Sequence, residues 1–256
     1  MEIDRSSAAA IKAQEIAFWE ESFSSRIKQD LLPEIHDFWE KRYYDKLERV
    51  LFREIPTLCK GDAEILEAGC GTGAAALRLA TGNRRVTLLD ASEGALRYAR
   101  RLAKESKVAA KCTIGDLFDL PFAKDGFDLA FNIGTLEEYD PPDSLRMMEE
   151  LKRVTLPGGY VLVGIPNPRN PEIYFSRRTK KWQGLERDYR EADLRAMMAC
   201  AGLVDVRISY VPTLFAFGYF PRLKRPLSSF PGVSAFLERL LRRFSVIILA
   251  VGRVPG

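Results

Sequence analysis

The stretch Ile65-Leu66-Glu67-Ala68-Gly69-Cys70-Gly71-Thr72-Gly73 constrains the fold of this chain more than any other. A short apolar run ends in an acid and is followed by glycines at alternate positions. Ala74 to Ala80, straight after the last glycine, is rich in helix formers, so the pattern predicts a buried strand, a tight turn and a helix. Glycine lacks a Cβ, which lets the turn take unusual dihedrals and come close to a bound group. The first turn of the next helix meanwhile presents unpaired N–H groups. The shape suits a nucleotide-like cofactor.

Gly69, Gly71 and Ala74 also satisfy the G-x-G-x-x-G/A fingerprint of dinucleotide enzymes, so the loop alone leaves the cofactor open. A second apolar run, Arg85 to Leu89, ends in Asp90, 17 positions beyond Gly73 and placed to accept hydrogen bonds from ribose hydroxyls. Both cofactor classes share that acid. A third run, Ala109 to Ile114, leads into Gly115-Asp116-Leu117, and a fourth, Phe127 to Asn132, into Ile133-Gly134-Thr135-Leu136-Glu137-Glu138-Tyr139. The fifth spans Gly158 to Ile165.

In this order and spacing the five runs resemble the class I S-adenosylmethionine-dependent methyltransferases, particularly the small-molecule group that includes the ubiquinone and menaquinone C-methyltransferases. The resemblance covers roughly Gly61 to Gly202. It implies an α/β fold: a Rossmann-like, seven-stranded, mostly parallel sheet with helices on both faces, the last strand antiparallel beside the fifth. It also implies S-adenosylmethionine as cofactor and S-adenosylhomocysteine as product. Carried over position by position, it places Glu67, Gly69, Cys70, Gly71 and Gly73 on the methionine part. Asp90 and Ala91 fall at the ribose, Asp116 and Leu117 at the adenine, and Asn132, Ile133 and Gly134 again along the methionine. Tyr43 is expected to close over the cofactor, as aromatic residues before the sheet do in relatives.

Three parts are legible along the chain. Residues 1–60 predict an N-terminal helical cap, with Ile16, Trp19, Phe23 and Ile27 at spacings of three and four, then Tyr43, Leu47, Val50 and Leu51. Residues 61–256 form the methyltransferase domain, with 166–190 and 212–243 as substrate-side insertions. Within it strands and helices alternate from 61 to 165, which calls for parallel pairing with right-handed crossovers. Ser92 is a favourable N-cap for the helix after the second strand. Glu191 to Ala201 predicts a helix stopped by Gly202, Leu203 to Val211 a strand, and Phe244 to Val251 the last strand.

Length and composition agree. A chain of 256 residues with 46% hydrophobic content can bury a full core. Val246 to Val251 is far short of the roughly 20 residues a membrane helix needs. The first residues lack the basic and apolar regions of a secretory signal. Cys59, Cys70, Cys112 and Cys200 are scattered without metal or redox spacing, so no metal site is expected and a cytoplasmic location is.

Methyl transfer is an in-line displacement from an activated sulfonium, so alignment and water exclusion supply much of the rate and no obligatory motif exists. A base helps only an acceptor that must lose a proton. Many relatives read Leu-Glu-His after the fourth strand, whereas this chain reads Leu136-Glu137-Glu138, which makes Glu138 the candidate base there. His36, the single histidine, is the second candidate because imidazole titrates near neutrality. Both residues also fit ordinary surface or interface roles. Asn167-Pro168 follows the fifth run and not the fourth, so it reads as a turn into a substrate-covering segment, with Tyr174, Phe175, Trp182 and Tyr189 as candidate pocket walls.

From Arg207 onward there are eight basic residues against Glu238 alone, in a chain of net charge +4, interleaved with Phe215, Phe217, Tyr219, Phe220, Phe230 and Phe236. Such a region suits an anionic amphiphile or a membrane surface, and no RNA-binding module accompanies it. The expected partner is a small-molecule acceptor methylated on oxygen, nitrogen or carbon, amphiphilic or anionic in character. The alternatives are an RNA or protein methyltransferase using the basic tail, a non-catalytic S-adenosylmethionine-binding protein, and a nicotinamide enzyme.

Overall fold

The computed structural model describes residues 8–28, 43–178, 186–211, 236 and 240–256. Seven strands form one sheet in the order β3-β2-β1-β4-β5-β7-β6: β1 Glu64–Ala68, β2 Arg85–Asp90, β3 Ala110–Ile114, β4 Phe127–Ile133, β5 Thr155–Pro166, β6 Val204–Val211 and β7 Ile247–Arg253. The first five are parallel to one another, with Ile65 opposite Val86 on one side and Leu129 on the other. β7 runs antiparallel between β5 and β6, pairing Leu162 with Val251.

The apolar runs are continuous because the central strands are covered on both faces. Leu88, Phe131, Leu162 and Leu249 pack into one core, while their chain neighbours Leu89, Ala130, Val161 and Ile248 pack into the other. The first core is closed by α1 (Ala8–Lys28), α2 (Asp45–Glu54), α3 (Ala74–Leu79) and α4 (Glu93–Glu105), which contribute Phe23, Leu51, Leu79 and Leu96. The second is closed by α5 (Pro141–Val154) and α7 (Glu191–Cys200), through Met148, Leu151, Leu194 and Met198. The N-terminal helices thus share a core with the sheet. The expected insertion at 212–243 falls almost wholly outside the described residues.

Local signals explain the helix starts. Ser92 caps α4, its hydroxyl accepting the Ala95 N–H at 3.0 Å. Pro141 opens α5, where a missing N–H costs nothing. Two strand boundaries and one short helix differ from expectation. β5 begins at Thr155, ahead of Gly158, because Phe127 pairs with Thr155 across an irregularity in the β4–β5 register. A short helix α6, Pro171–Arg178, not expected from the sequence, opens the segment after the Asn167 turn. The last strand starts at Ile247, not Phe244, because residues 242–244 form a 3-10 turn. There Asn167 Nδ2 donates to the carbonyls of Arg243 and Ser245 at 2.9 and 2.7 Å, and Asn170 Nδ2 to that of Phe244 at 2.7 Å. Carbonyls held by side chains cannot join a ladder.

Candidate active site

The chain reverses its direction of sheet growth between β1 and β4, and ligands of open α/β sheets bind beyond the carboxyl ends of the strands at such a point. A cavity of about 260 Å³ opens there. One buried water needs only roughly 10–15 Å³, so this is a ligand-sized space.

Its floor is the glycine loop. Glu67, next to last in β1, is 5% exposed, its Oε2 accepting the Ala76 N–H at 3.0 Å across the loop. Burial, more than any neighbour, pushes its carboxyl up to about 8. Gly69 has φ +69°, and a Cβ there would stand 2.9 Å from both Asn132 Nδ2 and Thr135 Oγ1, so the position admits no side chain. The Cys70 N–H donates to the Leu89 carbonyl at 2.9 Å. Burial raises the Cys70 thiol well above its ordinary value, which leaves it a small neutral filler.

Asp90 closes β2 and binds the loop from the other side. Its Oδ2 accepts the Gly71 N–H at 2.8 Å and its Oδ1 the Ser92 N–H at 2.9 Å. Burial raises this carboxyl and the backbone donors counter the rise. Asp116, after β3, pairs with Lys12 of α1 and accepts the Phe118 N–H at 3.0 Å. Past β4 the backbone turns at Gly134, φ +83°, into a 3-10 turn over Leu136–Glu138. Glu138 is 7% exposed, and its Oε1 accepts the Trp19 Nε1–H at 3.2 Å. Burial, then Glu15, then Glu137 drive its carboxyl well above the usual carboxylate range.

The cavity brings together most of the residues expected to hold a cofactor. Glu67, Gly69, Cys70 and Gly71 line it from the first loop, Asp90 and Ala91 from the second, Asp116 and Leu117 from the third. Ile133, Gly134 and Glu138 reach it from the fourth, and Tyr43 from the segment before α2. Two expected residues stand behind the wall. Gly73, φ +70°, precedes α3, and a Cβ on it would lie 2.7 Å from Leu88. Asn132 is fully buried, its Nδ2 donating to the Ala68 carbonyl at 2.7 Å and its Oδ1 accepting the Leu136 N–H at 3.2 Å, so it fixes the β4 loop from beneath. His36 and Trp182 lie outside the described residues. Tyr189 is no pocket wall: its hydroxyl donates to the Tyr139 carbonyl at 2.7 Å and sits 3.2 Å from Ser144 Oγ, bracing the turn that carries Glu138.

One side of the cavity comes from α1, with Lys12, Glu15, Ile16, Trp19 and Phe23. The three-and-four spacing of Ile16, Trp19 and Phe23 marks that face in the sequence, but Lys12 and Glu15 beside it read as solvent-facing charges. Glu20 fastens the helix, accepting from Ser92 Oγ at 2.7 Å and the Gly94 N–H at 2.8 Å at the start of α4. A carboxylate there is favoured by the unpaired N–H groups of the helix end.

Comparison with known proteins agrees with this geometry. Residues 65–159 match the family model described as a methyltransferase domain. The chain is similar to a malonyl-[acyl-carrier protein] O-methyltransferase of Erwinia pyrifoliae, 34% identical over 67% of this chain and 62% of that protein. It is likewise similar to a ubiquinone biosynthesis O-methyltransferase of Alkalilimnicola ehrlichii, 32% identical over 53% of this chain and 63% of the other. It thus spans about three-fifths of the length of these relatives. In fold it is similar to a SAM-dependent methyltransferase of Thermotoga maritima, with TM-score 0.61, 20% identity, and coverage of 92% of this chain and 98% of that one.

Proposed function

We propose, for a chain that belongs to the class I S-adenosylmethionine-dependent methyltransferase family, that it transfers the cofactor's methyl group to an oxygen, nitrogen or carbon atom of a small-molecule acceptor. One observation carries the reading: the glycine loop, Asp90 and Asp116, which come from three different strand ends, line a single cavity. The residues fit the cofactor. Gly69 and Gly71 clear the floor, Asp90 keeps carboxylate lone pairs for ribose hydroxyls, and Asp116 offers an acceptor for an exocyclic amine.

Bound there, S-adenosylmethionine supplies an electrophilic methyl on a positively charged sulfur. The protein's part is to hold the acceptor in line, exclude water and manage a proton where one is released. Trp19, Phe23 and Tyr43 screen the cavity, and Glu138 stands where a proton can be received. The reacting end of the acceptor is therefore neutral or cationic, since two acidic side chains, Glu138 and Glu15, face it.

The far end of the acceptor is amphiphilic. Pro166 of β5 pairs with Ile247 of β7, so the 3-10 turn before β7 stands at the same sheet edge as the cavity. Phe236, Leu240, Leu241 and Phe244 are exposed there or just before it, beside Arg242 and Arg243. Apolar and basic groups together suit a lipid-like molecule with an anionic group, or the membrane surface that carries one. No helix among the described residues is long and apolar enough to cross a membrane. The test is a screen of the purified chain with methyl-labelled S-adenosylmethionine against cell extracts, resolved by mass spectrometry. A labelled small molecule is the expected product; label confined to RNA or protein overturns the small-molecule reading.

A further inference from the structure

Glu15 has no counterpart in the motifs that mark the cofactor site, yet it is one of the few buried charged side chains among the described residues, at 7% exposure. It projects from α1 into the cavity one helical turn before Trp19, whose indole N–H bonds Glu138, so the two carboxyls are neighbours in one buried space. Two ionised carboxylates crowded into a buried site repel one another, so one of them keeps a proton. The indole N–H of Trp19 donates to Glu138 Oε1 at 3.2 Å and also adjoins Glu15, so it serves the ionised half of the pair. Among the described lining residues Lys12 is the single cation, and it is engaged by Asp116.

We propose that Glu15 and Glu138 hold one proton between them and act as a single acid–base unit at the methyl-transfer site, with Glu15 the positioning residue that sets when Glu138 can accept a proton. The proposal rests on the methyltransferase reading for its role, though not for its existence.

A lone carboxyl as buried as Glu138 holds its own proton and is then no base. A second carboxyl beside it changes the state of the site. Two groups with one proton carry one negative charge, and removing the last proton is opposed by burial and by like charge. Every neighbour that bears on the pair strengthens this opposition except the indole. Glu137 on the same turn and Glu186 beyond it both raise Glu138, and Glu186 also raises Glu15. Tyr139, itself pushed up by burial and by the pair, stays a neutral phenol.

The charge bookkeeping of the reaction then closes inside the cavity. As the acceptor lone pair forms the new bond to the methyl carbon, the carbon–sulfur bonding electrons remain with sulfur. The acceptor's proton moves to the pair, which ends with two protons and no charge. A positive sulfur and a negative pair become a neutral sulfide and a neutral pair, a cancellation that a low-dielectric site favours. An acceptor already present as a carboxylate has no proton to give and is repelled by the pair.

Trp19 supplies a readout that needs neither cofactor nor acceptor. The chain has three tryptophans, so Trp39→Phe with Trp182→Phe leaves Trp19 as the single indole, read selectively by excitation beyond the tyrosine band. Its emission in the full chain, titrated from acid to alkaline pH, is expected to show a step above the ordinary carboxylate range. Glu15→Gln should move that step down by about one pH unit or more, the mark of two coupled sites. Glu138→Gln should move it down likewise, and circular dichroism establishes that each variant is folded. A step at ordinary carboxylate pH, or one unmoved in both variants, overturns the proposal. If the steps behave as expected but S-adenosylmethionine does not bind in calorimetry, the pair stands and the methyltransferase reading falls.

Discussion

Asp90 accepts the backbone N–H of Gly71 at 2.8 Å, so the acid that ends β2 holds the glycine loop that follows β1. The residue expected to meet a ribose is also the clamp that shapes the cofactor's floor. Binding and loop geometry are therefore one property of this contact, and substitutions at either end affect both.

Gly71 tests the floor from the other end. Its φ of +50° disfavours any side chain, and a Cβ would point toward Phe23 Cζ at 3.5 Å, across the mouth of the cavity. Gly71→Val is expected to abolish S-adenosylhomocysteine binding in a thermal-shift titration while leaving the far-ultraviolet circular dichroism unchanged. A folded variant with a normal ligand-induced shift would move the cofactor away from this loop.

Glu20 tests whether α1 is a dependable wall. Its carboxyl is held below the usual carboxylate range, first by Ser92 and then by the Gly94 N–H. A depressed folded value means the contribution is present above the unfolded pKa and lost as pH falls through the folded one. Glu20→Ala should therefore speed hydrogen exchange in α1 at neutral pH, and the wild type should approach the variant in acid. Equal exchange at neutral pH in the two proteins would mean that other contacts hold the helix.

Glu67 makes a prediction of opposite sign. Its folded value of about 8 lies above the ordinary 4.5, so between those limits the folded protein keeps a proton that the unfolded chain has released. Stability falls as pH rises through that window, by at most about 1.4 kcal/mol per pH unit, and levels off above it. Urea denaturation of Glu67→Gln between pH 5 and 9 should show a shallower decline than the wild type. Parallel curves would mean that Glu67 is ionised in the folded protein.

Glu138→Gln keeps size and hydrogen bonding while removing the base. General-base help is typically worth about 10²- to 10⁴-fold, so turnover should fall by an order of magnitude or more with cofactor affinity retained. His36→Ala is expected to cost much less. The reverse ranking in steady-state kinetics would move the chemistry to the N-terminal segment.

The cofactor side of this site was legible because its demands are local. A buried strand reads as an apolar run, the tight turn that floors the cavity reads as Gly69 and Gly71, and a helix start reads as Ser92. Asn132 and Gly73 fall in the motifs but stand behind the wall, since sequence spacing does not say which way a side chain faces. The acceptor side was largely hidden. Glu15 and Lys12 read in the sequence as solvent-facing charges on α1, and only the long-range packing of that helix against α4 and the strand ends turns them inward. Phe244 reads as the start of a strand until Asn170, more than seventy residues earlier, claims its carbonyl.

The central claim is that this cavity binds S-adenosylmethionine through Asp90. Isothermal titration calorimetry of the wild type and of Asp90→Ala tests it directly. The account predicts one site per chain in the wild type and a loss of about 1.5 to 3 kcal/mol in the variant, roughly 10- to 150-fold in Kd. Equal affinity in a folded Asp90→Ala protein, or no binding to the wild type, would contradict it.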